Sequence, residues 1–405
     1  MTGIQASTSS ANRTQIGIFG RMNAGKSSLI NALTDQPSAI VSDVPGTTTD
    51  VVRKPMEIHG IGACLFLDTA GFDDTGILAD KRIQATEKAL ASCDLAIIVF
   101  FDSDTSLEGK WIAKLKERKV PVMGVLSHMD AYSSQTVQER VAALEKQYGL
   151  TVIPVDSTSR HGITDVLQQL VNLSSGKKEK CRLLDGLVQE GDTVVLVMPQ
   201  DPQAPVGRLI QPEVMTIREC LDRNCITICV TPQQLPSALA SLKNSPELII
   251  TDSQVFSSVH ELCPKGTQLT SFSILMAGLK GDIRYLSQSA AAIESLTENS
   301  RVLIAECCTH APMEEDIGRV KIPNMLRKKI GQGLRVDVKA GTDFPSDASD
   351  YDLIIQCGGC MFNRRYIMSR IDQAKAAGVP MSNYGIVIAY LSKILNHVTL
   401  PKEEQ

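Results

Sequence analysis

Short apolar runs alternate with helix-like segments through the first 173 residues of the chain. The runs rich in branched aliphatic side chains predict strands at Gln15–Phe19, Ala63–Leu67, Leu95–Phe101, Val120–Leu126 and Thr151–Val155. A glycine-rich loop and a helical pattern from about Lys26 to Leu33 follow the first of these runs. Such alternation predicts a mostly parallel sheet with crossover helices over residues 15–173.

Beyond a polar stretch at residues 172–182, the pattern predicts two further α/β units. The first covers residues 183–262, with strands at Thr193–Met198, Ile226–Thr231 and Leu248–Thr251. The second covers residues 265–405, with strands at Val302–Glu306, Arg335–Val338, Leu353–Gln356 and Ile386–Ile388. The polar first residues, 1–14, predict a disordered tail. The fold class is therefore α/β with three domains.

Composition excludes several function classes. The 405 residues carry a net charge of −4 and 4% aromatic side chains, so neither charge nor stacking surface favours nucleic-acid binding. The longest apolar run, near Leu95–Phe101, is too short to span a bilayer. No leader-like segment precedes the first strand, and eleven cysteines then predict free thiols in a reducing cytoplasm.

A complete phosphate-binding loop lies between the first strand and the first helix. It has the Gly-x-x-x-x-Gly-Lys-Ser form, and its predicted nucleotide-binding residues are Gly20, Asn23, Ala24, Gly25, Lys26, Ser27 and Ser28. Backbone N–H groups wrap phosphates in such a loop, and the helix N-terminus adds positive potential. Lys26 is predicted to reach the β- and γ-phosphates, and Ser27 to ligate Mg²⁺.

Partner motifs follow in the order that a GTPase requires. Asp68 and Gly71 belong to an Asp-x-x-Gly motif, in which the carboxylate holds Mg²⁺ through water and the glycine amide senses the γ-phosphate. Thr48, with Thr47 as the alternative, is the predicted switch threonine and a second Mg²⁺ ligand. Asp130 is predicted to accept hydrogen bonds from guanine, and Ser157 lies where the last base-contacting loop belongs.

These motifs resemble the GTPases of the Era and tRNA-modification type over about 160 residues. The resemblance implies that Asn23 helps to bind a K⁺ ion that assists hydrolysis. Guanine-specific GTPases usually carry an Asn-Lys-x-Asp motif at this place. This chain has Ser127-His128 instead of Asn-Lys. Loss of one good polar contact is worth about 1–3 kcal/mol, so weaker but still guanine-selective binding is expected.

A cysteine cluster is predicted near the end of the chain. Cys308 and His310 follow one predicted strand, and Cys357 and Cys360 follow another, so both groups lie at carboxyl ends of strands. Zinc fits two or three Cys with one His. An iron–sulfur cluster is favoured by the glycines between Cys357 and Cys360, which leave N–H groups open to sulfide. His310 or Glu315 is the predicted fourth ligand, with the carboxylates on either side of Glu315 as alternatives.

The combination of a GTPase with Cys-x-His and Cys-x-x-Cys resembles the FeFe-hydrogenase maturation GTPases, the HydF family. Three further stretches resemble that family in order: Asp201–Asp222, Thr270–Asp282 and Asp316–Pro323. The resemblance implies three domains: a GTPase domain, a dimerisation domain and a cluster-binding domain. It also implies a homodimer, with a tetramer as the alternative. It implies GTP/GDP, Mg²⁺, K⁺ and a 4Fe–4S cluster as cofactors. Its cluster ligands are Cys308, Cys357 and Cys360.

The same resemblance implies a scaffold or carrier function. The transient cargo is the two-iron precursor of the hydrogenase H-cluster, received through the radical-SAM maturases HydE and HydG and delivered to apo FeFe-hydrogenase. Many members have His directly before Cys-x-x-Cys, whereas this chain has Gln356, which favours three-Cys ligation with an exchangeable fourth position. Two alternatives remain: an RNA- or ribosome-directed GTPase with structural zinc, and a redox-regulated GTPase whose thiols form a disulfide.

Overall fold

The computed structural model describes residues 13–34, 52–69, 71, 79–129, 132–175, 182–199, 209–307, 316–345 and 347–402. The chain forms two compact units, residues 1–180 and residues 181–405. Residues 1–12 of the predicted tail lie outside the described residues, and the first strand begins at Thr14.

The first unit is built on a six-stranded sheet in the order β2-β3-β1-β4-β5-β6. Its strands are β1 Thr14–Gly20, β2 Val52–Ile58, β3 Gly62–Asp68, β4 Leu95–Phe100, β5 Val122–Leu126 and β6 Val152–Pro154. Its helices are α1 Lys26–Thr34, α2 Ala79–Ser92, α3 Ser106–Glu117, α4 Ser134–Tyr148 and α5 Ile163–Ser175. Only β2 runs antiparallel to its neighbour among the described strands of this sheet, so the prediction of a mostly parallel sheet is confirmed.

Burial explains why the central strands read as continuous apolar runs. All six residues of β4 are buried, because helices cover both faces of the sheet. Because β1, β3, β4 and β5 run parallel, their carboxyl ends lie at one edge of the sheet, and the connecting loops lie there too.

The second unit contains two parallel four-stranded sheets. The first has the order β10-β9-β7-β8, with β7 Thr193–Val197, β8 Ile226–Val230, β9 Leu248–Thr251 and β10 Gln268–Ser271. Its helices are α6 Gln211–Asp222, α7 Leu235–Ser241, α8 Phe256–Leu262 and α9 Phe272–Lys280. The sequence pattern assigns the residues of β10 to the third domain, but β10 pairs with β9 and completes this sheet.

The other sheet has the order β12-β11-β13-β14. Its strands are β11 Arg301–Ala305, β12 Arg335–Lys339, β13 Leu353–Gln356 and β14 Met381–Asn383. Its helices are α10 Ile283–Ser289, α11 Ile322–Ile330, α12 Arg364–Ala376 and α13 Tyr384–Leu391. One hydrophobic core runs through both sheets of the unit, from Val195 and Ile249 to Leu303 and Ile354. The division into domains at residues 183–262 and 265–405 stays a prediction.

One strand prediction was wrong. Residues Ile386–Ile388 lie in α13, and the fourth strand is formed instead by Met381–Asn383 just before it. Residues 384–389 of that helix are all buried, so it is apolar on every face and carries no helical periodicity. A short apolar run of this kind cannot be distinguished from a buried strand by pattern alone.

No helix within the described ranges combines the length and the apolar character that crossing a membrane would require.

Candidate functional site

The phosphate-binding loop adopts the conformation that its glycines predict. Gly25 has φ +87°, and Asn23 has φ +58°, both in the left-handed region. The N–H of Leu29 donates to the carbonyl of Gly25 at 2.8 Å, which begins α1 directly after the loop. The loop's curvature and the start of the helix together form a concave backbone surface suited to phosphate oxygens.

Lys26 lies back against its own loop. Its side chain is buried, and Nζ donates to the carbonyl oxygens of Gly20 at 3.1 Å and Arg21 at 2.6 Å. These bonds keep the ammonium group inside the concave surface. Phosphate oxygens are stronger acceptors for the same donor, because the hydrogen bonds are then between charged groups.

Ser27 and Asp68 meet as the predicted magnesium pair. Ser27 Oγ donates to Asp68 Oδ2 at 2.7 Å, although 41 residues separate them in sequence. Burial raises the pKa of Asp68, while the Ser27 hydroxyl and the ammonium groups of Lys26 and Lys54 oppose that shift. A hydroxyl and a carboxylate side by side are the hard oxygen ligands that Mg²⁺ prefers.

The turn after β3 is fixed by Thr69, whose Oγ1 donates to the carbonyl of Ile18 at 2.7 Å. Gly71 of the Asp-x-x-Gly motif is buried beside it. Thr47 and Thr48, the predicted switch threonines, lie outside the described residues, so their place as ligands stays a prediction.

Ser127 and His128 lie against the phosphate-binding loop. The Ser127 hydroxyl donates to the carbonyl of Phe100 at 3.1 Å, and the His128 ring packs edge-on to Phe101 with centroids 4.8 Å apart. Both residues come within 4 Å of the position that a Cβ on Gly25 would take. The departure from Asn-Lys therefore leaves a hydroxyl and an imidazole at the junction of loop and base pocket.

The last base-contacting loop is held by Asp156, which accepts from Thr158 N–H at 2.8 Å and Ser159 Oγ at 2.5 Å. Both hydrogen bonds lower the pKa of Asp156, and the one from Ser159 has the larger effect. The predicted base-contacting Ser157 is half-buried at the tip of this turn. Asp130, the predicted guanine-binding carboxylate, lies outside the described residues.

A contact that the sequence did not predict attaches the phosphate-binding loop to α3. The Arg21 guanidinium donates to Glu108 Oε1 at 3.2 Å, and to the carbonyl and carboxylate of Asp104 at 2.7 and 3.0 Å. Glu108 is almost fully buried, and burial raises the pKa of its carboxyl against the opposing effect of Arg21. The sequence feature that could have indicated this contact is Glu108, an acidic residue in the first turn of an amphipathic helix.

In the second unit, β11 and β13 bring the cysteine segments together. These strands pair in parallel with Ala305 opposite Gln356, so Cys307 and Cys357 follow at the same edge of the sheet. The N–H of Cys307 donates to Cys357 Sγ at 3.2 Å. Cys360 lies three residues on, beyond Gly359 with φ +70°.

The hydrogen-bond pattern favours a thiolate at Cys357. The pKa of Cys357 is lowered mainly by a hydrogen bond from the Cys307 thiol. The N–H of Gly359 and the positive charge of Arg370 lower it further. Burial raises the pKa of Cys307, which keeps the proton of the pair. Burial and the neighbouring Cys357 raise the pKa of Cys360, and Lys280 opposes them. Cysteine binds metals as a thiolate, so Cys357 is suited to act as a metal ligand.

This donor set fits an iron–sulfur cluster. Soft thiols, a backbone N–H that donates to sulfur at Gly359 and a stabilised thiolate are groups that such a cluster uses. The described part of the chain contains no cluster of three or more His, Cys, Asp or Glu side chains arranged to hold a metal. Cys308, His310 and Glu315, the other predicted ligands, lie outside the described residues, so the full ligand set stays a prediction.

Lys280 and Arg370 beside the thiols were not predicted from the sequence, which singled out Gln356 only as the residue standing where many family members have His. Lys280 Nζ donates to the carbonyls of Gly359 at 2.8 Å and Phe362 at 2.6 Å. Gln356 donates to both Cys307 and Cys357, and Arg370 in turn donates to Gln356. Lys280 had a visible signal, because it is the lone charged residue in the apolar helix α9. Burial lowers the pKa of Lys280 to about 8, against the opposing thiols.

Three family models match successive parts of the chain. The model of the hydrogen maturase F dimerization domain matches residues 183–281, and that of the hydrogen maturase F tetramerization domain matches residues 284–401. A model of the 50S ribosome-binding GTPase family matches residues 15–128. The two hydrogen maturase models together cover more than half of the chain, including Cys357 and Cys360.

Curated relatives named for GTPase activity match part of the chain. The tRNA modification GTPase MnmE of Prochlorococcus marinus (strain NATL1A) is 31% identical over 159 residues, 39% of this chain and 34% of the relative. The GTPase Der of Wolinella succinogenes is 41% identical over 104 residues, 24% of this chain and 22% of the relative. The chain spans about a third or less of the length of these two relatives.

Two solved structures show a likeness to part of the chain. The G domain of the T. maritima FeoB iron transporter is 20% identical with a TM-score of 0.32, covering 40% of this chain and 99% of that one. Aquifex aeolicus Era is 16% identical with a TM-score of 0.37, covering 56% and 97%.

The family assignment rests on the three family models and on the nucleotide and thiol geometry that falls within them. With a GTPase domain followed by both domains specific to hydrogen maturase F, the chain belongs to the hydrogen maturase F (HydF) family of hydrogenase maturation GTPases.

Proposed function

We propose that this protein is a GTP-hydrolysing scaffold that binds a 4Fe–4S cluster and delivers the two-iron H-cluster precursor to apo FeFe-hydrogenase. One observation supports this above the others. Cys357 and Cys360 lie at the carboxyl edge of a parallel sheet, with Cys357 hydrogen-bonded to Cys307, inside the segment matched by a hydrogen maturase F domain. A site of soft thiols in a GTPase has no role in nucleotide hydrolysis, so it indicates a second task.

Cys308, Cys357 and Cys360 would hold the cluster, with His310 or Glu315 as the fourth ligand. Bound there, the cluster supplies an iron with an exchangeable position, which is the property that a carrier needs. The protein's own contribution is to hold Cys357 as a thiolate through the N–H of Cys307 and the N–H of Gly359. Gln356 fixes the sulfur positions of Cys307 and Cys357 from one side.

In the GTPase domain, the chain's own residues supply phosphate binding and metal ligation. Lys26 would exchange its two loop carbonyls for phosphate oxygens, and Ser27, Asp68 and Thr48 would hold Mg²⁺. Asn23, exposed and in the left-handed region, would contribute to a K⁺ site. GTP would then act as a switch on partner docking through the loops that the γ-phosphate orders.

The partners of this function are apo FeFe-hydrogenase as acceptor and the radical-SAM maturases HydE and HydG as suppliers, all in the cytoplasm. The matched domain models support oligomerization of this chain. We place the dimer contact at edge strand β8, where Ile226 is 58% exposed, and at Leu221 of the adjacent helix α6, which is 61% exposed. Exposed apolar side chains beside an open strand edge are typical of an interface.

The test is electron paramagnetic resonance of the anaerobically reconstituted, dithionite-reduced protein. The wild type is expected to give the fast-relaxing signal of a reduced 4Fe–4S cluster. Cys357→Ser and Cys308→Ser should lose it, while Cys229→Ser, at an exposed thiol on β8, should keep it. A silent wild type with stoichiometric zinc would refute the proposal and favour the RNA-directed GTPase with structural zinc.

A further inference from the structure

Two buried cations adjoin the thiol site. Lys280, at the end of α9, is 4% exposed, and Arg370, in α12, is 2% exposed. Neither forms an ion pair with a carboxylate among the described residues. Placing a charge in the interior is costly unless an opposite charge compensates it, so two such cations at one site call for an anion there.

Among the described residues, the ammonium group of Lys280 forms its hydrogen bonds with the cysteine turn. Its ammonium group donates to the carbonyl of Gly359, inside the Cys-x-x-Cys segment, and to that of Phe362, just after it. Burial lowers the pKa of Lys280 to about 8, and the neighbouring Cys360, Cys307 and Cys357 oppose that shift. Lys280 therefore fixes the turn that carries Cys360 and places positive charge beneath it.

Arg370 approaches from the other side. Nη1 donates to Gln356 Oε1 at 2.8 Å and lies 3.8 Å from Cys307 Sγ, and Nη2 donates to the carbonyl of Gly341. Nε has no hydrogen-bond partner within the described parts of the chain. The guanidinium is enclosed by aromatic rings, with centroids 4.9 Å away for Phe344, 5.1 Å for Phe362 and 5.0 Å for Tyr366.

Aromatic faces and amide oxygens stabilise a cation without neutralising it. The positive charge of Arg370 thus remains available to the sulfur atoms, directly at Cys307 and through Gln356 at Cys357. A 4Fe–4S cluster held by three thiolates is an anion, and its negative charge grows by one on reduction. Hydrogen bonds and nearby charge are the means by which a protein sets the potential of such a cluster.

We propose, on the basis of the function proposed above, that Lys280 and Arg370 are positioning residues that supply the counter-charge for the cluster. They compensate its anionic charge in the interior and stabilise its reduced state. Gln356 couples Arg370 to both sulfurs, so the chain's Gln at this position orients the thiols without being a ligand.

The experiment is a potentiometric titration of the reconstituted full-length protein, followed by electron paramagnetic resonance, together with iron analysis. The variants are Arg370→Met and Lys280→Met, which remove charge, and Arg370→Lys and Lys280→Arg, which keep it. The control is Arg364→Met on the same helix, because Arg364 also donates to backbone carbonyls near Lys280 but is exposed.

Each Met variant is expected to lower the ratio of reduced to oxidised cluster at fixed potential about tenfold, a midpoint about 59 mV more negative for one electron. The charge-conserving variants should return most of that shift, and Arg364→Met should show none. If a Met variant loses its iron while the charge-conserving variant at the same position keeps it, a counter-charge role is equally supported.

Midpoints equal to the control, or equal loss of iron in the Met and charge-conserving variants, would overturn the counter-charge role while leaving the scaffold proposal intact. A wild-type protein that takes up no cluster would instead refute the scaffold proposal and this inference with it.

Discussion

The imidazole of His128 packs against Gly25 of the phosphate-binding loop, with Nε2 3.6 Å from the position that a Cβ on Gly25 would take. His128 itself has φ +53°, an unusual conformation for a residue with a side chain. The backbone thus turns the ring toward the loop at the place where related GTPases carry Lys. An unusual conformation held at this junction indicates that the ring supports the loop.

His128→Ala is therefore expected to weaken GDP binding by a factor of about 5–10, since one loop contact worth about 1 kcal/mol is lost. Titration with a fluorescent GDP analogue measures the dissociation constant. His59→Ala, at an exposed histidine of the same unit, is the control and should leave it unchanged. An unaltered affinity in His128→Ala would show that the ring does not support nucleotide binding.

Lys26→Ala should lower GTP turnover by about 100-fold or more, because the single ammonium group inside the loop is removed. The proposed cluster site lies in the second unit, so the iron content of the reconstituted protein should be unchanged. Phosphate release and iron analysis on one preparation measure both quantities, with Lys110→Ala, an exposed lysine of α3, as the control. Loss of iron along with turnover would contradict separable sites.

The ion pair between Arg21 and Glu108 should contribute to the stability of the first unit. Their side chains are only 16% and 2% exposed, so either single substitution leaves a poorly solvated polar group without its partner. Glu108→Gln is expected to cost about 1–3 kcal/mol of unfolding free energy. Urea unfolding of the wild type, Glu108→Gln, Arg21→Met and the double variant should give a coupling energy of about 0.5–3 kcal/mol. Additive effects would mean that the pair contributes nothing.

The features that the sequence made predictable are either short-range or lie where parallel strands end. The phosphate-binding loop needs its glycines and Lys26 within eight residues, and the Ser27–Asp68 pair follows from strands that end at one edge. The cation pair at the thiols could not be predicted in this way. Lys280 is 79 residues from Gly359, and Arg370 is 63 from Cys307, so only the packing of α9 and α12 on the sheet brings them there.

Ile226→Lys should shift the protein toward the monomer, since a charge at an apolar strand edge opposes pairing with a second copy. Sedimentation velocity over a range of concentrations measures the effect. Leu262→Lys is the matched control, because Leu262 is also exposed and apolar but lies on α8, away from β8. Dissociation by the control alone would place the dimer contact elsewhere in the second unit.

Gly359→Ala should reduce the iron content of the reconstituted protein several-fold. Gly359 has φ +70°, which costs an alanine about 1 kcal/mol or more, and its Cβ would lie 3.1 Å from Cδ1 of Ile367. The turn between Cys357 and Cys360 must then shift, and the sulfur positions shift with it.

Gly378→Ala is the matched control, since Gly378 has φ +68° with open space around it. It carries the same backbone strain without the steric contact and lies outside the cysteine turn. Equal iron content in the two variants would mean that the geometry of this turn does not determine cluster binding.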